Sequence, residues 1–186
     1  MSRSAILKNE NYVDLSKVSK LTRLVKELFD KIDVEKFKVD IGEKNTGTTV
    51  RWYSVIIIPH TDVKNDAYYI NYEELDKAAA DLIAHAKNME GMERLALNIL
   101  EPCSVVPMHY DNYSDDNEKE CAYYNLLVPL DNNGYSIVGE KLIKNKDGEP
   151  IIFDPQTYHG GMNDTLDIRR NYFCKIKNEA FRDVST

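Results

Sequence analysis

The stretch Arg94-Leu95-Ala96-Leu97-Asn98-Ile99-Leu100-Glu101-Pro102-Cys103-Ser104-Val105-Val106-Pro107-Met108-His109-Tyr110-Asp111 marks a change of texture in the chain. Its apolar and β-branched residues predict two short strands, 94–100 and 104–109, broken at Glu101-Pro102-Cys103. The same pattern continues downstream and predicts strands near 121–129, 135–138, 149–153, 157–160 and 168–176. Asp131-Asn132-Asn133-Gly134 and Asn145-Lys146-Asp147-Gly148 are turn clusters between them.

Upstream, helices dominate. Asp14 is placed to cap a helix whose apolar residues Leu15, Val18, Leu21, Leu24, Val25, Leu28, Phe29 and Ile32 recur at helical spacing. Asn71, followed three residues later by Glu74, opens a second helix with an inner face of Leu75, Ala78, Ala79, Leu82, Ile83 and Ala86. Between them, Thr48 to Ile58 reads as a strand. Helices first and strands afterwards predict helices packed outside a β-sandwich or barrel. No internal repeat or Pro/Gly/Ser-rich linker divides the 186 residues, so a single domain spanning 1–186 is expected. Its helical N-terminal buttress covers about 1–93 and its β core about 94–177.

The formal charge of -7 and pI near 5.2 disfavour nucleic-acid and anionic-membrane partners, because sequence-independent binding of phosphates needs a basic surface. The apolar run Val55-Ile56-Ile57-Ile58 is far too short to span a bilayer. Met1 to Lys8 lacks the apolar core of a signal peptide. Cys103, Cys121 and Cys174 are odd in number and widely spaced, which predicts reduced thiols in a cytoplasmic protein.

His109-Tyr110-Asp111 carries the chemistry. Residues i and i+2 of a strand face the same way, so His109 and Asp111 can reach one ion. His159, about three predicted strands later, supplies a third donor when a barrel lays its strands side by side. Two imidazoles and a carboxylate on one face of an ion leave the opposite positions open, an arrangement suited to non-haem iron(II). Arg169 follows His159 across a turn containing Gly160, Gly161, Asn163 and Asp164, and its guanidinium suits a two-pronged pair with one end of a dicarboxylate. Arg170 is expected to point the other way.

With these residues in view, the chain resembles the iron(II)/2-oxoglutarate oxygenases, in particular the aspartyl/asparaginyl β-hydroxylase-like branch. The resemblance runs from about Leu95 to Ile176. It rests on Leu97-Asn98-Ile99-Leu100-Glu101-Pro102, on Val106-Pro107-Met108-His109-Tyr110-Asp111, on Gly148-Glu149-Pro150-Ile151-Ile152-Phe153-Asp154, and on Tyr158-His159-Gly160-Gly161-Met162-Asn163 through Arg169. In that family Phe-Asp precedes the distal histidine, an asparagine often follows it by four residues, and an arginine by ten; His159, Asn163 and Arg169 match.

The resemblance implies a double-stranded β-helix (jelly-roll, cupin-like) fold. It implies Fe(II) on His109, Asp111 and His159, with 2-oxoglutarate as cosubstrate contacted by Arg169, Asn98 and Tyr123. The expected activity is a dioxygenase that hydroxylates an amino acid or an Asp, Asn or Pro residue of a peptide. Asp111 favours a full triad, hence hydroxylation over halogenation. One departure is Cys103, which stands where the family's proline is commonly followed by glycine.

Alternatives remain open on the residues alone. His60-Thr61-Asp62 is a second H-x-D, though Pro59 and Asn65-Asp66 around it suit a surface turn. Asp154 reads equally as an orienter of His159 or a turn residue. Tyr110, Tyr113 and Tyr158 line a pocket or merely pack. A different class, a non-oxidative cupin-type metal protein acting as isomerase or small-ligand binding module, shares the triad but does not need Arg169. Substrate identity and oligomeric state are not encoded in any motif; specificity is expected in residues 33–71 and 112–121.

Overall fold

The computed structural model describes residues 13–40, 51–59, 72–111 and 123–177. His60, Asp62, Asn71, Tyr113 and Cys121 lie outside the described residues.

Among the described residues, ten strands form two antiparallel sheets. One has the order β1 (Val39–Asp40), β2 (Trp52–Ile58), β3 (Met92–Leu100), β10 (Arg169–Lys177), β5 (Tyr123–Pro129) and β8 (Ile151–Phe153). The other runs β4 (Val105–His109), β9 (His159–Met162), β6 (Tyr135–Val138) and β7 (Lys141–Lys144). From β3 onward the chain crosses between the sheets at nearly every connection, and only β6 and β7 are sequence neighbours within one sheet. That winding is the double-stranded β-helix, as expected. β7 and the two-residue β1 escaped the sequence reading: Lys141–Lys144 is mostly exposed and shows no buried alternation. β2, from the N-terminal half, pairs with β3, so the larger sheet draws on both halves of the chain.

The larger sheet is buried on both faces. Alternate residues Arg170, Tyr172, Cys174 and Ile176 of β10 face the helices, and Arg169, Asn171, Phe173 and Lys175 face the second sheet. Helix α1 (Leu15–Lys31) begins at Asp14, whose carboxylate accepts the Ser16 and Lys17 amides as predicted. It buries Val18, Leu21, Val25 and Leu28 against that face. Thr22 adds a hydrogen bond between its hydroxyl and that of Tyr172, at 3.0 Å. After the one-turn helix α2 (Val34–Phe37), the second predicted helix occurs as two segments, α3 (Glu73–Ala78) and α4 (Ala80–Lys87). Its inner face is the predicted one, with Leu75, Ala79, Leu82 and Ala86 buried. His85 ties α4 to α1 through the Lys17 carbonyl at 3.0 Å. No helix among the described residues is long and apolar enough to cross a membrane.

Candidate metal centre

β4 is an edge strand, which tolerates Pro107, and its pairing with β9 shifts register between Val106 and His109. A bulge at that place re-aims the side chains that follow it. Its result is that His109 falls opposite His159 across the ladder, with ring centroids 4.4 Å apart. Asp111 follows as the strand ends. The Asp111 Oδ1 atom lies 3.6 Å from His109 Nε2, and Oδ2 lies 3.5 Å from His159 Nε2. One donor atom from each of the three residues lies within 4.8 Å of the others.

The hydrogen bonds around the three residues prepare them as ligands. His109 Nδ1 lies 2.7 Å from the Pro107 carbonyl, and His159 Nδ1 lies 2.7 Å from the Thr157 carbonyl. A carbonyl only accepts, so each Nδ1 carries the proton and each Nε2 presents a lone pair inward. Asn125 Nδ2 donates to Asp111 Oδ2 at 2.7 Å and holds the carboxylate from behind. Burial raises the Asp111 carboxyl; in the metal-free chain with the histidines protonated, the hydrogen bond and charge of His159, the Asn125 amide and the His109 charge outweigh it and keep it below its ordinary value. Two neutral imidazole nitrogens and an ionised carboxylate form a donor set that fits a divalent transition metal.

A cavity of about 210 Å³ opens between the sheets beside this triad, below the range for drug-sized ligands and suited to small metabolites. Trp52, Val106, Leu127, Val138, Phe153 and Phe173 make much of its wall apolar. Arg169 projects into it from β10 and is 2% exposed. Its Nη1 donates to the Tyr135 carbonyl at 2.9 Å and its Nη2 to Ser136 Oγ at 3.0 Å, while Nε has no partner. No carboxylate among the described residues, the nearby Asp167 included, forms an ion pair with it. Asp167 instead offers its backbone carbonyl to Asn163 Nδ2, at 2.7 Å. Burial pushes Arg169 down to about 10, against the opposing charge of Asp131, so the guanidinium is still charged at neutral pH. Gly161 makes this placement possible: a Cβ there would lie 2.6 Å from Arg169 Nη1.

Asn98 also lines the cavity, in one cross-sheet row with Ser54 of β2 and Asn171 of β10. Ser54 Oγ donates to Asn98 Oδ1 at 2.5 Å, and Asn98 Nδ2 donates to Asn171 Oδ1 at 3.2 Å. Tyr123 is different. It is buried but is not among the residues lining the cavity, and its ring lies 5.8 Å from Lys175 Nζ. Asn125, two residues further along the same face of β5, is the one that reaches the triad.

Asp154 and the tyrosines Tyr110 and Tyr158 sit outside the metal centre. Asp154 is a turn residue, accepting the Gln156 amide at 2.8 Å, and His159 is oriented by Thr157 instead. The Tyr110 and Tyr158 rings meet each other at a tilt, centroids 4.8 Å apart, and are exposed, outside the cavity. Arg170 points away, its guanidinium 5.8 Å from the Phe29 ring of α1. Cys103 has φ 55, the left-handed conformation that glycine favours.

Sequence reasoning missed Asn125, Ser54, Ser136 and Asn171. Period-2 counting from Tyr123 and Arg169 would have put Asn125 and Asn171 on the inner face. Ser54 and Ser136 follow only from the strand register, which no motif announces.

The chain matches no protein-family model and no curated protein. Among solved structures it is similar to a predicted oxalate decarboxylase from Thermotoga maritima, at 13% identity and TM-score 0.42, over 68% of this chain and 80% of that one. A Cupin 2 conserved barrel domain protein from Salinispora arenicola is similar at 8% identity and TM-score 0.41, over 70% and 80%. The plu4264 protein from Photorhabdus luminescens is similar at 15% identity and TM-score 0.37; the match covers 47% of this chain and 65% of that protein's length.

Proposed function

We propose that the protein is an iron(II)- and 2-oxoglutarate-dependent dioxygenase that hydroxylates an amino acid or an Asp, Asn or Pro residue of a peptide. The observation that carries this reading is the pairing of two features in one cavity. One is a His109–Asp111–His159 donor set; the other is a buried guanidinium, Arg169, with no carboxylate ion-paired to it among the described residues. Burying an uncompensated charge is costly, and a dicarboxylate cosubstrate resolves that cost.

His109, Asp111 and His159 would hold the iron, whose chemistry with 2-oxoglutarate and dioxygen supplies succinate, CO2 and the oxidising power for hydroxylation. The chain's own residues bind and orient. Arg169, held by Tyr135 and Ser136, receives a carboxylate with its remaining N–H groups. Asn98, fixed by Ser54, turns its carboxamide nitrogen toward the Arg169 side of the row and Asn171. The apolar wall around Phe153, Phe173 and Val138 excludes water from the reacting groups. A non-oxidative metal protein would use the same triad but would not need Arg169.

The test is succinate formation from 2-oxoglutarate under iron(II) and oxygen, screened over free amino acids and short peptides. Stimulation by a substrate, lost in His159→Ala, supports the reading. Full turnover in that variant would contradict the ligand assignment.

A further inference from the structure

The two turn clusters, Asp131-Asn132-Asn133-Gly134 and Asn145-Lys146-Asp147-Gly148, are hydrogen-bonded to each other. The Asp147 amide donates to Asn132 Oδ1 at 3.0 Å. Asn145 donates twice into the first cluster, from its backbone amide to the Gly134 carbonyl at 3.2 Å and from Nδ2 to the Asn133 carbonyl at 2.6 Å. The first cluster in turn grips the chain on both sides of Arg169. Asp131 Oδ2 accepts the Arg170 amide at 2.7 Å, and Asn133 Nδ2 donates to the Ile168 carbonyl at 3.0 Å. A turn asparagine ordinarily stays in solvent, as exposed Lys146 does beside it. Asn145 is instead 1% exposed, with both ends of its side-chain amide engaged.

The direction of each hydrogen bond follows from chemistry. The Asn133 carbonyl only accepts, so the Asn145 amide faces it with Nδ2 and turns Oδ1 toward Ser136. Oδ1 also only accepts, so the Ser136 hydroxyl directs its single proton to Asn145, at 2.9 Å. What remains on Ser136 Oγ is lone pairs, and Arg169 Nη2 donates to them at 3.0 Å. A Ser136 proton turned the other way would meet a guanidinium, which has no acceptor. Asn145 thus sets the polarity of the whole chain while acting on Arg169 through Ser136.

That polarity decides which part of Arg169 faces the cavity. A guanidinium has five N–H groups. Those on Nη1 meet the Tyr135 and Met162 carbonyls, at 2.9 and 3.3 Å, and one on Nη2 meets Ser136. The Nε–H, buried and without a partner among the described residues, remains with the second N–H of Nη2. Tyr135 and Ser136 are consecutive in β6, so they hold the Nη end of the fork. The edge shared by Nε and Nη2 is left, and it is an edge that grips a carboxylate two-pronged.

We infer that Asn145 is a positioning residue for cosubstrate binding: through the Ser136 hydroxyl it locks the Arg169 guanidinium with its Nε edge toward the far carboxylate of 2-oxoglutarate. This rests on the proposed function.

The experiment uses the full chain, loaded anaerobically with iron(II), and two 2-oxo acids. One is 2-oxoglutarate; the other is 2-oxobutanoate, which keeps the keto acid end and lacks the far carboxylate. The charge-transfer band reads the binding of each. Asn145→Leu, of similar volume, should weaken 2-oxoglutarate about tenfold or more while leaving iron(II) affinity and 2-oxobutanoate binding as they were. Ser136→Ala should do the same, and the double variant should bind no more weakly than the weaker single, because one residue acts through the other. An asparagine that only holds its turn would lower thermal stability and move both acids together or neither. An Asn145→Leu protein that binds 2-oxoglutarate like the parent, or loses iron(II) or both acids in parallel, would overturn the inference. Additive losses in the double variant would overturn it too. Should Asn145→Leu fail to fold, Asn145→Ser, too short to reach Ser136, carries the same expectations. If the parent forms no band with 2-oxoglutarate, the proposed function fails instead, and the role of Asn145 is read from the guanidinium signals of Arg169 in a nitrogen-edited NMR spectrum of the metal-free chain. Separate Nη2 hydrogens that merge in the Asn145 variant support the positioning role, and identical guanidinium spectra overturn it.

Discussion

His109 and His159 are cross-strand partners whose Nδ1 atoms each sit 2.7 Å from a carbonyl two residues earlier in the chain. Both rings are thus fixed by the same local device, from opposite strands, with Nε2 turned toward Asp111. Removing either ring leaves two donors and an open flank. His159→Ala is expected to weaken iron(II) or cobalt(II) binding by at least about 100-fold, since disturbing even an outer partner of a ligand commonly costs 10–100-fold. Isothermal titration calorimetry reads the change.

Asn125 acts through Asp111. Replacing it with leucine keeps the volume and removes the donor at 2.7 Å, so metal affinity should fall about 10–100-fold while the thermal unfolding of the metal-free protein changes little. An Asn125→Leu protein that binds metal as tightly as the parent would show that the carboxylate needs no such support.

The Asp111 carboxyl is held below 3.8 in the folded chain. A depressed carboxylate stabilises the fold above its unfolded value, and that contribution is lost as pH falls through the folded one. The metal-free parent should therefore lose more stability than Asp111→Asn on going from about pH 5 to below 3.8, as measured by urea denaturation at each pH. Equal losses would mean that the His159 and Asn125 contacts do not favour the ionised form.

Gly161 lies against the Arg169 guanidinium, and a Cβ there would sit 2.6 Å from Nη1 and 3.2 Å from the Tyr135 carbonyl. The carbonyl cannot yield without disturbing β6, so Gly161→Ala displaces the guanidinium. The variant should still bind metal, while the thermal stabilisation given by 2-oxoglutarate is reduced by most of its value. Retention of the full shift would separate Arg169 from the dicarboxylate.

Cys103 holds φ 55 with a Cβ, which costs about 1 kcal/mol relative to glycine in a left-handed turn. Cys103→Gly should be neutral to slightly stabilising, because glycine's gain in the turn is offset in part by its freer unfolded chain. A loss of more than about 1 kcal/mol in denaturant titration would show that the exposed thiol packs usefully.

Much of this architecture could be read from the chain because buried strands are short runs rich in apolar and β-branched residues, bounded by turn clusters. β3, β4, β5, β6 and β10 are such runs, and the Asp14 cap and the Val18–Leu21–Val25–Leu28 stripe mark α1. The triad was legible for a related reason: His109-Tyr110-Asp111 places two donors by strand geometry, and His159 stands at a spacing the β-helix brings alongside. What could not be read depends on register. Ser54, Asn98 and Asn171 meet only because β2, β3 and β10 pair in one particular alignment, and a shift of one residue would face them elsewhere. Asn125 illustrates the same limit; its strand was recognised, but no motif marks the residue that reaches Asp111. β7 was hidden because an exposed edge strand has no buried face to impose a pattern.

On the proposed function, one cavity joins the His109–Asp111–His159 donor set to an arginine that binds a dicarboxylate. Anaerobic titration of the iron(II)-loaded protein with 2-oxoglutarate tests it most directly. A weak visible charge-transfer band should grow to saturation in the parent, fail to form in His159→Ala, and require at least about tenfold more 2-oxoglutarate in Arg169→Leu. A folded, iron-loaded parent that gives no band, or a band indifferent to Arg169, would contradict the account.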